Sequence, residues 1–257
     1  MKKIQSILFL LITACFAIPG QAQPERSQVF IKAALSGLEY KVKAGFNIGG
    51  TAPIPLPREI RRIDSYDPTM AIAIEADAHK KFKNSRWGIM AGIRLETKGM
   101  KTDATVKNYH MEMTADDGGY MVGAWTGHVK TKVSNSYLSF PVLATYQLTK
   151  RFELRAGPYF SYATSREFSG SAYDGYIRHY DPTGEKAYVT NATYDFSDDI
   201  RRFQWGVQAG GEWKAYKHFN LYLDLTWGIN SIFPKDFESI TFSMYPIYAN
   251  LGFAYVF

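Results

Sequence analysis

From residue 38 onward apolar side chains recur at every second position in separate runs. That period restricts the chain to strands with two chemically different faces, because successive strand side chains point to opposite sides. In the first run Leu38, Tyr40, Val42, Ala44, Phe46 and Ile48 alternate with Glu39, Lys41, Lys43, Gly45 and Asn47. The pattern returns at 70–79, 87–96, 138–148, 153–162, 203–214, 219–230 and 245–257. One row is apolar throughout; the other is charged, polar or tiny.

Each run suits a tilted membrane strand, which needs about 9–11 residues. The links between runs alternate in length. Short ones fall near 80–86, 149–151 and 216–218, and long ones fill 49–69, 99–136, 164–202 and 231–242. Short periplasmic turns alternating with long extracellular loops are what outer-membrane barrels carry. The expected fold is therefore all-β: a closed antiparallel up-and-down transmembrane β-barrel over 38–257, with about eight strands and both termini in the periplasm.

Periodicity alone leaves open a soluble barrel that buries the apolar row. The aromatics decide against it. Tyr40, Trp87, Tyr146, Phe152, Trp213, Phe219, Tyr255 and Phe257 fall at the short-link ends of the runs. Phe46, Phe160, Tyr162, Trp205, Trp227 and Tyr245 fall towards the long-link ends. Two aromatic girdles bracketing Ala, Val, Ile and Leu make a membrane arrangement. Aromatics are 16% of the chain although the mean hydropathy is slightly negative, which is how an alternating barrel reads.

The first residues direct export. Lys2 and Lys3 precede an apolar core from Ile7 to Ile18, and Gly20 and Ala22 put small residues before a cut ahead of Gln23. Residues 1–22 are read as a signal peptide and 23–37 as a periplasmic N-terminal segment. Ile12-Thr13-Ala14-Cys15 also resembles a lipoprotein processing site, but the apolar run continues past it. Cys15 is the single cysteine, so residues 23–257 contain neither a disulfide nor a thiolate site. Without Lys2 and Lys3 the formal charge falls from +6 to +4. That mild balance, with Arg58, Arg61 and Arg62 dispersed in one link, does not call for nucleic acid.

The stretch Tyr137-Leu-Ser-Phe-Pro-Val-Leu-Ala-Thr-Tyr146, followed by Arg155-Ala-Gly-Pro-Tyr-Phe-Ser-Tyr162, resembles the PorT-like, porin-family outer-membrane barrels. Lys43-Ala-Gly-Phe-Asn-Ile48 and the terminal aromatic strand are similar too. The resemblance implies fold and location in the Gram-negative cell envelope. It carries no catalytic motif over, and the secretion role of some relatives does not transfer.

The inward row brings acids and bases together in near balance: Glu39, Glu75, Asp77, Glu96, Glu153, Glu212 and Asp224 beside Lys41, Lys43, Arg94, Lys98, Arg155 and Lys214. An eight-stranded barrel is just wide enough for side chains to fill, so a paired charge network is expected to plug it. Tyr255 and Phe257 end the closing strand and are read as the signal for the barrel-assembly machinery. Tyr120, Trp125, Tyr173, Tyr176 and Tyr180, in the long links, read equally well as a recognition surface for a protein or glycan and as strand extensions packing on one another. His110, His128 and His179 with Ser134, Ser136 and Ser139 lack nucleophile-elbow spacing. Asp116-Asp117, Asp181 to Glu185 and Asp198-Asp199 are fragments of oxygen-ligand loops, each short of a calcium loop's spacing. No cofactor, metal or catalytic residue is predicted. The expected function is a non-enzymatic outer-membrane barrel embedded in lipid that displays its long loops for binding. A narrow channel and a lipid-modifying enzyme are the alternatives.

Overall fold

The computed structural model describes residues 36–69, 71–115, 118–179 and 182–257. The expected signal peptide, Cys15, Tyr180 and most of the 23–37 segment lie outside them. The strands are β1 (Leu38–Pro53), β2 (Ile60–Asp67), β3 (Ala71–Lys81), β4 (Trp87–Ala115), β5 (Tyr120–Gln147), β6 (Phe152–Ser165), β7 (Phe168–His179), β8 (Lys186–Asp195), β9 (Phe203–Tyr216), β10 (Phe219–Gly228) and β11 (Met244–Val256).

Eight of these eleven close on themselves in the order β1, β3, β4, β5, β6, β9, β10, β11 and back to β1. These are the eight alternating runs of the sequence. Phe257 extends the closing seam, its N–H donating to the Tyr40 carbonyl at 3.0 Å. Exposure alternates residue by residue along the ring. Ile72, Ile74, Ile93 and Leu95 are exposed, while Glu75, Asp77, Arg94 and Glu96 between them are buried. The apolar row thus forms an outward band and the charged row fills the interior. At the short-turn rim Trp87 packs on Tyr146 and Tyr255 on Phe257, with ring centroids 4.9 and 5.0 Å apart.

The long links differ from expectation. Residues 99–136 are not a loop: β4 and β5 run 29 and 28 residues, about three times what a bilayer crossing uses. Their far halves form a lobe beyond the ring. β2 pairs with β4 over Lys101–Val106, β7 pairs with β5 over Gly123–Val133, and β8 pairs with β7 and then with β4 at Thr114 and Ala115. This lobe has an apolar core of its own, including Met111, Met113, Trp125, Val129, Phe168 and Tyr194. The link between β10 and β11 adds Ile232, Phe233 and Ile240 to it.

In the sequence these segments read as loops for two physical reasons. Their apolar row faces inward, opposite to the membrane part, and their phase is broken. Between Val106 and Tyr109 the β4–β5 register slips at Asn108, which has φ 55°, beside Gly127, which has φ 158°. Such bulges insert a residue and re-aim every side chain beyond them.

Candidate functional site

Two regions concentrate polar chemistry: the barrel interior and the outer face of the lobe.

In the interior the charges form two ion-paired groups, and a cation of each, Lys43 and Arg155, lies over the Tyr222 ring at 5.6 and 5.4 Å from its centroid. Lys41 Nζ lies 2.9 Å from Glu212 and 3.4 Å from Glu153. Arg155 reaches Glu212 with Nη1 at 2.7 Å and grips both oxygens of Asp224 at 2.7 and 2.8 Å. Lys43 Nζ bridges Glu75 at 2.9 Å and Asp77 at 2.6 Å. Arg94 Nε lies 3.3 Å from Glu75 and 3.5 Å from Glu96, and its Nη2 donates to Gln208 at 2.8 Å. Above them Lys98 lies 3.2 Å from Glu96 beneath the rings of Tyr137, Tyr159 and Tyr248, at 5.1–5.7 Å from their centroids. Glu39 is the outlier: it stands half-exposed at the mouth, 3.7 Å from Lys41 and 3.5 Å from the buried His79.

Glycines make room for this network. Asp77 pairs in register with Gly92, and Asp224 with Gly210. A Cβ at either glycine would sit 2.0 Å from the facing carboxylate oxygen. His79, which also contacts Thr145 at 2.9 Å, was missed because a single histidine on an alternating row carries no pattern.

The aromatic residues singled out from the long links part company. Tyr120 is exposed, its hydroxyl donating to Glu112 at 2.6 Å. Tyr176 is half-buried, edge-on to Tyr188 with centroids 5.9 Å apart. Tyr173 is half-buried and lies across β5. For Trp125 the structure takes the packing alternative and not the recognition surface: it is fully buried in the lobe core, its indole N–H donating to the His128 carbonyl. Trp125 continues the inward row of Val129, Val133 and Ser139 on β5; it is on β4 that the inward row changes parity across the Asn108 bulge, from Val106 to Met111 and Met113. The serines and loop histidines do not converge: Ser139 faces the interior, where its hydroxyl meets Glu96 at 2.7 Å and Ser161 at 2.6 Å.

On the lobe an open polar groove of about 960 Å³ runs over β4, β5, β7 and β8, with Lys101, Lys130, Lys132, Asp103, Ser171 and Thr193 in its wall. Beside it Asp64 of β2, Asp103 of β4 and His128 of β5 converge, one donor atom from each lying within 4.8 Å of the others. Tyr173 donates to Asp103 Oδ2 at 2.7 Å and stacks on His128, ring centroids 5.1 Å apart. Accepting that proton bond, the Asp103 carboxylate pushes the Tyr173 phenol up to about 12. The Thr105 hydroxyl, donating to Asp64 Oδ2 at 2.7 Å, and then Arg62, hold the Asp64 carboxyl below the usual carboxylate range.

Residues 21–234 match the family model described as the outer membrane protein beta-barrel domain. No curated protein matches the chain. Similar solved structures include Ail, the attachment invasion locus protein of Yersinia pestis, in complex with the heparin analogue sucrose octasulfate. Its identity is 8%, the match covers 86% of this chain and 97% of that one, and the TM-score is 0.33. The outer membrane protease OmpT from Escherichia coli is 14% identical over 86% of this chain and 96% of that one, with a TM-score of 0.29.

Proposed function

Because the chain belongs to the outer membrane protein beta-barrel domain family, we propose that it is a closed, non-catalytic barrel that holds out a folded lobe for binding. The observation that carries the reading is the pairing of a filled interior with an open groove on the lobe. Buried side chains block the bore at successive heights, from Lys41 through Arg155 and Arg94 to the tyrosines over Lys98. An aqueous path would have to break several fully buried ion pairs. Outside, by contrast, the groove presents alternating Lys and Asp among Ser and Thr hydroxyls. Such a lining offers many donors and acceptors and a single aromatic ring, Tyr194, which suits a hydroxyl-rich ligand; a glycan fits it better than a protein segment does, since protein contacts concentrate on aromatic and Arg anchors.

In this reading the short turns and both termini face the periplasm and the lobe is extracellular. The PorT-like resemblance is the finer family placement. The hairpin that carries it is intact as β5–β6, with Leu138 opposite Tyr162 and Phe140 opposite Phe160. Lipid and the assembly machinery are the partners of the barrel, and the glycan is the partner of the lobe.

The test joins two measurements on refolded full-length protein. In planar bilayers the wild type should give no steady conductance. On a glycan array it should retain a subset that a Lys130→Ala/Asp195→Ala groove variant loses. Steady single-channel current would favour the channel instead. Glycan retention indifferent to the groove variant, or none at all, would remove the binding role, and altered lipid masses in a deletion strain would point to an enzyme.

A further inference from the structure

We propose that Asp64, Asp103 and His128 form a binding site for a divalent first-row metal ion of the zinc class on the outer face of the lobe. The inference rests on the geometry of these residues and stands whether or not the groove takes a ligand.

Three strands contribute one ligand each, and two register slips meet there. The β2–β4 register slips between Ile63 and Ser65, which sets Asp64 off the ladder. The β5–β7 register slips between Thr126 and His128. Bulges re-aim side chains, and here both aim at Asp103 between them. As a result the donor atoms converge to within 4.8 Å.

The free atoms are the second observation. Asp103 Oδ1 and His128 Nδ1 are shielded from solvent and have no hydrogen-bond partner. Shielded polar atoms are nearly always satisfied, and an anionic oxygen and an imidazole nitrogen left open side by side are what a cation completes. Their neighbours already act as an outer layer. Tyr173 occupies Asp103 Oδ2 and leaves Oδ1 free, while Thr105 donates to Asp64 Oδ2, whose second lone pair stays available. Stacking on Tyr173 fixes the His128 ring. Partners of this kind orient metal ligands and tune them.

The donor set selects the ion. One imidazole with two carboxylates suits zinc or a similar first-row dication, whose four-coordinate site keeps one position open. Calcium prefers six to eight oxygens, and there is no thiolate. Two cations compete for the carboxylates: Arg62 contacts Asp64, and Lys130 lies 3.9 Å from Asp103. Both side chains are mostly exposed, at 72% and 58%, so they can swing into water when the metal arrives. Asp103 also lines the groove.

The experiment uses the full-length protein refolded in detergent without a polyhistidine tag. Zinc chloride is titrated by calorimetry, and Co²⁺ is added separately to read its visible absorption. The wild type should bind one ion per chain and give Co²⁺ bands with a nitrogen ligand. His128→Ala and Asp103→Asn should each weaken binding by on the order of tenfold or more. His218→Ala, on the opposite rim, should leave it unchanged. Asp103→Asn keeps the shape of the side chain, so it decides the matter if His128→Ala disturbs the lobe. A wild type without a one-to-one site, or an Asp103→Asn protein that binds zinc as its parent does, overturns the assignment.

Discussion

Arg155→Met removes the most heavily used cation of the interior while nearly keeping its length. The guanidinium makes three charge-assisted hydrogen bonds of 2.7 to 2.8 Å, two to Asp224 and one to Glu212, and is fully buried with both acids. Removing one member of a buried pair costs about 3–5 kcal/mol, because the other charge is left without compensation. The two acids do not suffer equally. Glu212 keeps Lys41 at 2.9 Å and the Asn220 amide, whereas Asp224 loses both of its bonds to Arg155. The cost therefore falls mainly on Asp224 and should lie near the lower end, at about 3 kcal/mol. Adding Asp224→Asn to Arg155→Met removes the stranded charge and should return more than half of the loss. Unfolding in urea, followed by the heat-modifiable band on a gel, reads both steps. Leu154→Ala on the outward row is the control; it trades side chain for lipid and should cost less. A single variant within about 1 kcal/mol of its parent, the usual size of an unremarkable substitution, would refute the plug as a structural element. A double variant no more stable than the single would refute the stranded-charge account.

Two further perturbations separate barrel from lobe. Deleting Phe257 removes the residue that bonds to Tyr40 across the seam and packs on Tyr255; an unclosed edge cannot sit in lipid, so the protein should accumulate unassembled in the periplasm, and normal surface display would contradict this. Trp125→Ala empties the centre of the lobe core at a cost of about 3–5 kcal/mol; the heat-modifiable barrel band should persist while protease cuts at the β7–β8 turn around 182–185 and within β4 and β5 beyond Lys101. A lobe as resistant as the parent's would show that Trp125 does not hold it together.

The barrel was legible because lipid imposes a rule on every strand at once. An outward row must be apolar, and the eight runs that obey it are the eight strands of the ring. Partners within one hairpin were legible too: the short link 80–86 sets Glu75 opposite Arg94. Partners across the bore were not. Lys41 of β1 meets Glu153 of β6 and Glu212 of β9, and Arg155 pairs with Asp224 although β9 stands between β6 and β10. Nothing local in the chain encodes that proximity. The Asp64–Asp103–His128 cluster was hidden for the same reason and for another, since register slips place two of its three members.

The lobe was illegible because its chemistry is the barrel's turned inside out. Along β4 the inward positions run Met90, Arg94, Glu96 and Lys98, then Met100 and Val106; the outward ones run Ile89, Ile93 and Leu95, then Lys101 and Lys107. The exchange of polarity between Lys98 and Lys101 has a direct physical cause. Below it the surroundings are hydrocarbon, so charge must hide in the bore. Above it the surroundings are water, so the apolar side chains turn in and the charges turn out. One pair of strands thus crosses from one solvent to the other without a break, and the exchange marks the membrane boundary more sharply than the aromatic girdle does. It also explains why the lobe can fold as more than a set of loops. Trp125, Phe168, Phe233 and their neighbours bury apolar area independently of lipid, which holds the groove and the three-residue cluster on a rigid sheet, where a binding site needs to be.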